Sequence, residues 1–258
     1  MGAAALITGA SAGLGLEFAK CFAADHIDVV LVARRKDRLD ALAAELVAVH
    51  GITAHVISAD LMEPAGARQL IADVNALGLD IGWLVNNAGF GTSGLFHELD
   101  AAKEAAEVQL NCVALTELTR AFVPGMVARK TGRILNIGST AGFQPGPFMA
   151  TYYATKAFVN SFTEALAYEL RGTGVTATVS CPGATATEFA AVAGTDTSKL
   201  FAGSVATAEQ VAAEAYAAMN DGRAMIVHGL RNKLMAFGSA LTPRALVLSL
   251  AAGMNRRA

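Results

Sequence analysis

The segment Ala3-Ala-Ala-Leu-Ile-Thr-Gly-Ala-Ser-Ala-Gly-Leu-Gly15, followed by Leu16-Glu-Phe-Ala-Lys-Cys-Phe22, indicates the fold. Its apolar start, Ala3–Ile7, predicts a buried strand, and the residues from Leu16 onward predict a helix. The glycines between them allow a tight turn and let a pyrophosphate approach the N-terminus of the helix, where amides and the helix dipole attract anions. A strand, a glycine-rich turn and a helix in this order predict a dinucleotide-binding unit.

Apolar strands alternate with amphipathic helices along the rest of the chain. Further strands are predicted at 27–33, 53–58, 81–85, 133–138, 174–180 and 224–227, and further helices at 37–50, 63–77, 101–129, 152–170 and 208–219. The helix at 101–129 is expected to bend near Pro124. Without a linker or an internal repeat, this alternation predicts an α/β fold: one doubly wound Rossmann-type domain over 1–258, with a parallel sheet of about seven strands and helices on both faces.

Composition restricts the classes of function. The chain of 258 residues is 53% apolar and 16% charged, and its net charge of -2 argues against a nucleic-acid partner. The three cysteines, Cys21, Cys112 and Cys181, form no Cys-x-x-Cys pair, so neither a disulfide framework nor a metal site is predicted. No apolar run reaches the ~18 residues of a membrane span, and no signal peptide is recognised. We therefore expect a cytoplasmic protein with buried thiols.

Basic residues end the second predicted strand. In a dinucleotide site this position faces the adenosine ribose, where a carboxylate binds the 2′-hydroxyl and arginine accommodates a 2′-phosphate. Arg34 and Arg35 lie there without a neighbouring acid, which favours NADP(H); alternatively they only solvate the strand end. Asp60, after the third strand, either accepts a hydrogen bond from the adenine amino group or caps the next helix.

Tyr152 and Lys156 stand one turn apart on one face of the predicted helix at 152–170. A free tyrosine holds its proton up to a pH of ~10. A nearby ammonium favours the phenolate, which makes the phenol an acid or base nearer neutral pH. Ser139, at the end of the preceding strand, is placed to hold a substrate oxygen beside that phenol. Such a pair alone is also found on solvated helices, so this interpretation depends on the other motifs.

Two segments lack a clear pattern. Residues 184–206 are rich in Ala, Thr, Gly and Ser, and we interpret them as a substrate lid. The tail at 230–258 mixes apolar residues with Arg231, Lys233, Arg244 and two further arginines. It is either a basic amphipathic segment that contacts a membrane surface peripherally or a segment that packs on the domain or on another subunit.

Five motifs, in this order, resemble those of the short-chain dehydrogenases/reductases: Thr8-Gly-Ala-Ser-Ala-Gly-Leu-Gly15, Asn86-Asn-Ala-Gly89, Ser139, Tyr152-Tyr-Ala-Thr-Lys156 and Pro182-Gly183. The resemblance covers about residues 3–228. It implies that Tyr152 is the acid/base, that Lys156 lowers the pKa of Tyr152 and binds the nicotinamide ribose, that Ser139 holds the substrate oxygen and that Asn111 keeps a water for proton relay.

The resemblance also implies which residues bind the cofactor. These are Gly9, Ser11, Gly13, Leu14 and Gly15 at the pyrophosphate, Asp60 and Leu61 at the adenine, Asn87, Ala88 and Gly89 at the adjoining ribose, and Pro182, Gly183, Thr185 and Thr187 near the carboxamide. Many NADP-dependent members carry a basic residue where this chain has Ala12. The preference for NADP(H) therefore rests on Arg34 and Arg35.

The function expected from these residues is reduction of a ketone or aldehyde by NADPH, or the reverse oxidation of an alcohol. Aromatic and apolar residues near the motifs predict a small-molecule pocket of apolar character: Phe90, Phe143, Phe148, Met149 and Phe189. A catalytically silent NADP(H)-binding sensor or scaffold, or an epimerase or dehydratase of the same fold, remains as an alternative. The resemblance further implies a homodimer or homotetramer.

Overall fold

The computed structural model describes residues 2–195 and 205–256. Within them, seven strands form one parallel sheet in the order β3-β2-β1-β4-β5-β6-β9. The strands of this sheet are β1 Ala4–Thr8, β2 Val29–Ala33, β3 Ala54–Ser58, β4 Ile81–Asn86, β5 Gly132–Ile137, β6 Val175–Cys181 and β9 Met225–Val227. The predicted Rossmann-type sheet is therefore confirmed.

Helices cover both faces of the sheet. They are α1 Gly13–Ala24, α2 Lys36–His50, α3 Gly66–Ala76, α4 Ala101–Val108, α5 Leu115–Arg129, α6 Ala150–Glu169, α7 Phe189–Ala193, α8 Ala208–Asn220, α9 Leu230–Leu241 and α10 Arg244–Asn255. In β1, Ala5 and Ile7 enter one core with α1, α2 and α8, whereas Ala4 and Leu6 enter the other with α3 and α5. Burial on both faces explains why the strands are nearly continuous apolar runs.

The sheet order determines where a ligand binds. β1 pairs with β2 on one side and with β4 on the other, so the chain reverses its direction of winding between β1 and β4. In open α/β sheets, ligands bind outside the carboxyl ends of the strands at this point. The glycine turn after β1 and the Asn86–Gly89 segment after β4 lie there.

The long helix expected at 101–129 contains a π-helical turn that the sequence did not predict. A π-helical turn, Gln109–Ala114, separates α4 from α5, and Pro124 lies inside α5. Asn111 is in the π-helical turn, where its side-chain amide bonds to the backbone of Phe90. A long-range contact therefore accompanies the irregularity.

The expected lid contains more regular structure than its composition suggested. Thr185–Ala186 (β7) pairs with Ala206–Thr207 (β8), and α7 lies between them along the chain. Residues 196–204 fall outside the described residues, so closure of the lid stays a prediction.

The tail forms two helices, α9 and α10, that pack on the domain by one face. Ala236, Val247 and Ala251 are buried there, and Ser239 Oγ donates a hydrogen bond of 3.2 Å to the Phe143 carbonyl. The inner face of the tail therefore packs on the domain, which is one of the two arrangements expected from the sequence. Residues 257 and 258 lie outside the described part of the chain.

Candidate active site

The turn after β1 contains glycines at which a larger residue would strain the backbone or displace neighbouring atoms. Gly9 and Gly13 have φ of +69° and +55°, a conformation that favours glycine. A Cβ on Gly15 would lie 2.2 Å from the Gly9 carbonyl oxygen. Ala12, at the N-cap of α1, makes no side-chain hydrogen bond to the helix. The first-turn amides of α1 therefore face the crevice without a capping side chain, which suits a pyrophosphate.

Thr8 connects the ends of β1 and β4. Its hydroxyl accepts hydrogen bonds from the backbone N–H groups of Asn87 and Ala88, both at 3.0 Å, and donates to the Val85 carbonyl at 3.3 Å. The Asn87 side chain donates to the Thr8 carbonyl at 2.8 Å. This reciprocal set holds the Asn87–Gly89 segment against the glycine turn. Sequence reasoning assigned no role to Thr8, although it begins the glycine motif.

Tyr152 and Lys156 lie on one face of α6, beside Ser139 at the end of β5. The hydroxyl of Tyr152 lies next to the hydroxyl of Ser139. Lys156 Nζ lies 5.7 Å from the centroid of the Tyr152 ring and donates a bond of 2.7 Å to the Ile137 carbonyl. The structure thus brings the three predicted side chains together, with a phenol and a hydroxyl adjacent and a cation behind them.

The electrostatics of this group differ from the expectation. Burial raises the pKa of Tyr152 above its ordinary value, although the nearby Ser139 side chain opposes the rise. Burial also lowers the pKa of Lys156 to about 8. Burial is the largest cause of both shifts, and the Lys156 ammonium bonds to the Ile137 carbonyl. Tyr152 is therefore a protonated acid at neutral pH.

Asn111 occupies the π-helical turn behind Lys156. Its Nδ2 donates to the Phe90 carbonyl at 2.9 Å and to Thr155 Oγ1 at 3.0 Å, and its Oδ1 accepts from the Phe90 N–H at 3.2 Å. Asn111 Oδ1 and Lys156 Nζ both lie close to Gly89. Single-turn π-helical segments are frequent at functional sites. In this structure Asn111 supports the Gly89–Phe90 backbone beside the lysine.

The end of β2 carries the two predicted arginines. Arg35 donates to Ser11 Oγ at 3.3 and 3.1 Å and pairs with Glu188 at 2.8 Å. Arg34 lies 3.9 Å from Asp60. Asp60 Oδ1 also accepts a bond of 2.9 Å from the backbone N–H two residues later, so it caps the following turn. Both arginines line the crevice, and Glu188 competes for one of them.

One cavity of about 1100 Å³ joins the glycine turn to the tyrosine. It exceeds the ~300–1,000 Å³ of a typical pocket for one ligand, so it has room for a dinucleotide and a second molecule. The predicted site residues that line it are Gly9, Ser11, Gly13, Leu14, Arg34, Arg35, Asp60, Leu61, Asn87, Ala88, Gly89, Ser139, Tyr152, Lys156, Pro182, Gly183, Thr185 and Thr187. Gly15 and Asn111 lie behind the wall.

The apolar part of the cavity is built partly from unexpected residues. Phe90, Met149 and Phe189 line it as predicted, whereas Phe143 and Phe148 do not. Phe143 packs in a core cluster under α9, and Phe148 lies beside the Arg256 guanidinium. The far wall comes from α9 and α10 and includes Met235, Val247, Leu250 and Met254. No motif marks the tail, and its helical pattern alone does not reveal which face meets the cavity.

Two buried acids behind the site were also missed by sequence reasoning. Glu107 is fully buried and accepts a bond of 2.8 Å from Thr92 Oγ1. Glu104 is 8% exposed and accepts a short bond from Thr151 Oγ1. Burial first, and then the charge of Glu104, raise the pKa of Glu107 to about 7. The spacing of Glu104 and Glu107 on a helix is also that of a solvent-exposed pair. The sequence therefore does not indicate that the two side chains are buried.

The short chain dehydrogenase family model matches residues 3–198. The chain belongs to the short-chain dehydrogenase family.

Individual members of the family give finer comparisons. The short-chain dehydrogenase is 38% identical over 180 residues to a very-long-chain 3-oxoacyl-CoA reductase of Phaeosphaeria nodorum, which covers 66% of this chain and 51% of that protein. The chain thus spans about half the length of the curated relatives it matches.

Solved structures match over a larger share. A short-chain dehydrogenase from Sphingobium yanoikuyae in complex with NADPH is similar with a TM-score of 0.84 and 36% identity, over 93% of each chain. A bulky-bulky ketone specific alcohol dehydrogenase from Comamonas testosteroni is similar with a TM-score of 0.78 and 32% identity, again over 93% of each chain.

Proposed function

We propose that this short-chain dehydrogenase uses NADP(H) to reduce a ketone or aldehyde whose carbonyl carries large apolar groups. One observation carries the proposal: Tyr152 and Ser139 open into the same cavity as the glycine turn, and large apolar side chains form part of the wall of that cavity. A protonated phenol beside a hydroxyl suits the delivery of a proton to a carbonyl oxygen.

Each side chain of the site has a separate role in the reduction. NADPH, when bound, supplies the hydride for the carbonyl carbon. Ser139 holds the carbonyl oxygen next to Tyr152, and Tyr152 donates its hydroxyl proton to that oxygen. The raised pKa of Tyr152 keeps it protonated at neutral pH. Lys156, with Nζ 5.7 Å from the ring centroid, stabilises the negative charge that develops on the phenol.

The preference for NADP(H) is supported by the charges at the end of β2. Arg34 and Arg35 line the cavity, and the β2–α2 connection carries no carboxylate to bind a 2′-hydroxyl. Arginine forms the multiple charge-assisted bonds that a 2′-phosphate needs. The Sphingobium yanoikuyae structure that resembles this chain holds NADPH.

The substrate class is supported by the cavity walls and by the relatives. Phe90, Met149, Phe189, Val247 and Leu250 offer no charge and no strong hydrogen-bonding group to a substrate. Similar proteins are named for a very-long-chain 3-oxoacyl-CoA and for bulky-bulky ketones. Both names describe a ketone that carries a large substituent, which we take as the shared feature.

A substrate panel followed by NADPH absorbance tests the proposal. It contains 3-oxoacyl thioesters of increasing chain length, ketones with two bulky groups, a small ketone and a ketose sugar, each with NADPH and with NADH. We expect the highest kcat/KM for NADPH with the long or bulky ketones. Binding of NADPH with no turnover across the panel would instead favour the sensor. Interconversion of substrate isomers without net NADPH oxidation would favour the epimerase.

A further inference from the structure

The outer face of α9 carries a stripe of large apolar side chains in solvent. Leu230, Leu234, Phe237 and Leu241 follow at intervals of four, three and four, which places them on one face of the helix. Their exposed fractions are 73%, 67%, 67% and 90%. A contiguous exposed apolar surface of this kind marks an interaction site.

The next helix also carries exposed apolar side chains. In α10, Leu246, Leu248 and Leu250 are 51%, 40% and 58% exposed. We call the exposed apolar side chains of α9 and α10 the tail surface: Leu230, Leu234, Met235, Phe237, Leu241, Leu246, Leu248 and Leu250. The other exposed large apolar side chains of the described residues are spread over the rest of the domain. Exposed apolar side chains are therefore concentrated in the tail surface.

The charged residues at this end of the chain are all basic. From residue 222 to the end, the sequence contains six basic residues and no Asp or Glu, whereas residues 1–221 contain fourteen basic and twenty-two acidic residues. Arg231, Lys233 and Arg244 are exposed beside the tail surface. The chain therefore combines an acidic body with a basic, apolar end.

The two tail helices also contribute to the active-site cavity. Met235 and Leu250 line that cavity and are 40% and 58% exposed. The segment that carries the exposed apolar stripe of α9 is therefore also part of the wall of the cavity.

We propose that α9 and α10 dock this protein on an anionic lipid membrane through the tail surface. The apolar stripe enters the boundary between headgroups and acyl chains, and Arg231, Lys233 and Arg244 face the lipid phosphates. Basic amphipathic helices with Leu and Phe on the apolar face bind interfaces in this way. Two copies meeting by the same surface would bring like charges together without an acid between them, so the charges favour lipid over a second copy.

Flotation with vesicles tests the docking on the full chain. One set of vesicles contains phosphatidylcholine alone, and the other contains phosphatidylcholine with phosphatidylglycerol. We expect the protein to float with the anionic vesicles, more weakly with the neutral ones, and less at high salt because the charges are screened. The double variant Leu234→Gln/Phe237→Gln should lose about tenfold or more of the binding, because two large apolar groups no longer leave water.

A matched control removes two exposed apolar side chains elsewhere. Val47 and Val49 on α2 are 44% and 68% exposed, and Val47→Gln/Val49→Gln should bind vesicles like the unchanged protein. Reduction of a water-soluble ketone by NADPH should be retained in both double variants, because none of the four residues lines the cavity. This readout separates failure of the docking from failure of the proposed function.

Two results would overturn the proposal. One is absence of binding to anionic vesicles, or binding that Leu234→Gln/Phe237→Gln leaves unchanged. The other is a dimer in sedimentation that the same variant converts to monomer while the unchanged protein ignores vesicles, since the tail surface would then be covered by a second copy.

Discussion

The hydroxyl of Tyr153 donates a hydrogen bond of 3.0 Å to Oδ1 of Asn255, which joins the helix of the candidate acid to the last helix of the chain. Asn255 Nδ2 in turn donates to the Pro147 carbonyl at 2.9 Å. Tyr153 is 5% exposed and Asn255 is fully buried. One amide therefore holds α10 in place as a wall of the cavity, directly beside Tyr152.

Replacing Asn255 should loosen this wall. Asn255→Leu leaves the buried Tyr153 hydroxyl without a partner, at about 1–3 kcal/mol, and also removes the donor to the partly buried Pro147 carbonyl. We expect a lower free energy of unfolding in urea and a KM for bulky ketones that rises more than the KM for NADPH. Adding Tyr153→Phe should recover part of the stability, because one of the two orphaned groups is removed. An unchanged KM for bulky ketones would mean that the wall does not depend on this bond.

Removing the hydroxyl of Tyr152 should abolish most turnover without loss of the cofactor. Tyr152→Phe lacks the proton donor, and general acid catalysis contributes about 10²–10⁴-fold. We therefore expect kcat to fall by about that factor, while NADPH still quenches protein fluorescence at similar concentrations. Tyr168→Phe, at a tyrosine that is 66% exposed on the same helix, is the control. Turnover near the normal rate in Tyr152→Phe would reject Tyr152 as the acid.

Reversing the charge of Arg34 should move the preference from NADPH toward NADH. A carboxylate there repels a 2′-phosphate and accepts a bond from a 2′-hydroxyl. Since a hydrogen bond to a charged group contributes about 1.5–3 kcal/mol, the ratio of kcat/KM for NADPH over NADH should fall about tenfold or more. Lys36→Asp makes the same charge change outside the cavity, beside Asp40. Equal ratios in Arg34→Asp and Lys36→Asp would place the phosphate elsewhere.

Neutralising Glu188 should strengthen NADPH binding. Its carboxylate pairs with Arg35 at 2.8 Å and with Arg38 at 2.7 Å, and those hydrogen bonds hold its pKa below the ordinary value. Glu188→Gln frees the arginines for phosphate, and because exposed ion pairs contribute little, KM for NADPH should fall only a few-fold. The difference should shrink at high salt. A higher KM would indicate that Glu188 positions Arg35 for the phosphate.

The buried carboxyl of Glu107 should make stability fall as pH rises. Its pKa is about 7 in the folded chain and near ~4.3 in the unfolded chain. Between these values the folded state binds more protons, so the free energy of unfolding decreases with increasing pH and then levels off. Glu107→Gln keeps an acceptor for Thr92 but does not ionise. Urea unfolding should show it about 1–3 kcal/mol more stable than the unchanged protein at pH 8 and nearly equal at pH 4.

A difference that is the same at both pH values would show that Glu107 does not ionise in this window. Glu98→Gln, at a side chain that is 64% exposed, is the matched control and should change stability little at either pH.

Much of the fold follows from local sequence patterns. Apolar strands, amphipathic helices and the glycine turn at Gly9–Gly15 predict the sheet and the crevice at its carboxyl edge, because each signal lies within a few residues. The π-helical turn at Asn111 escaped prediction, since it accompanies bonds to Phe90, which is distant in sequence. The inner face of the tail was not predicted for a similar reason. Both faces of α9 carry apolar residues, and only packing distinguishes them.

The pKa shifts of the site residues were harder to predict from the sequence than the identity of those residues. The sequence placed Lys156 one turn from Tyr152 and predicted a lowered phenol pKa. Spacing along a helix carries no information about desolvation, or about the Ile137 carbonyl that binds the ammonium. The same holds for Glu104 and Glu107, whose burial depends on how α4 packs against α6.

The hydrogen bonds of the Thr8 hydroxyl have a consequence for how the crevice forms. Its acceptor role joins residues separated by 79 and 80 positions, so no local segment can build the cofactor crevice alone. A loop of that length must close before these bonds form, and closure of long loops slows folding. The nascent chain therefore acquires the ability to bind its dinucleotide only after β1 and β4 have met.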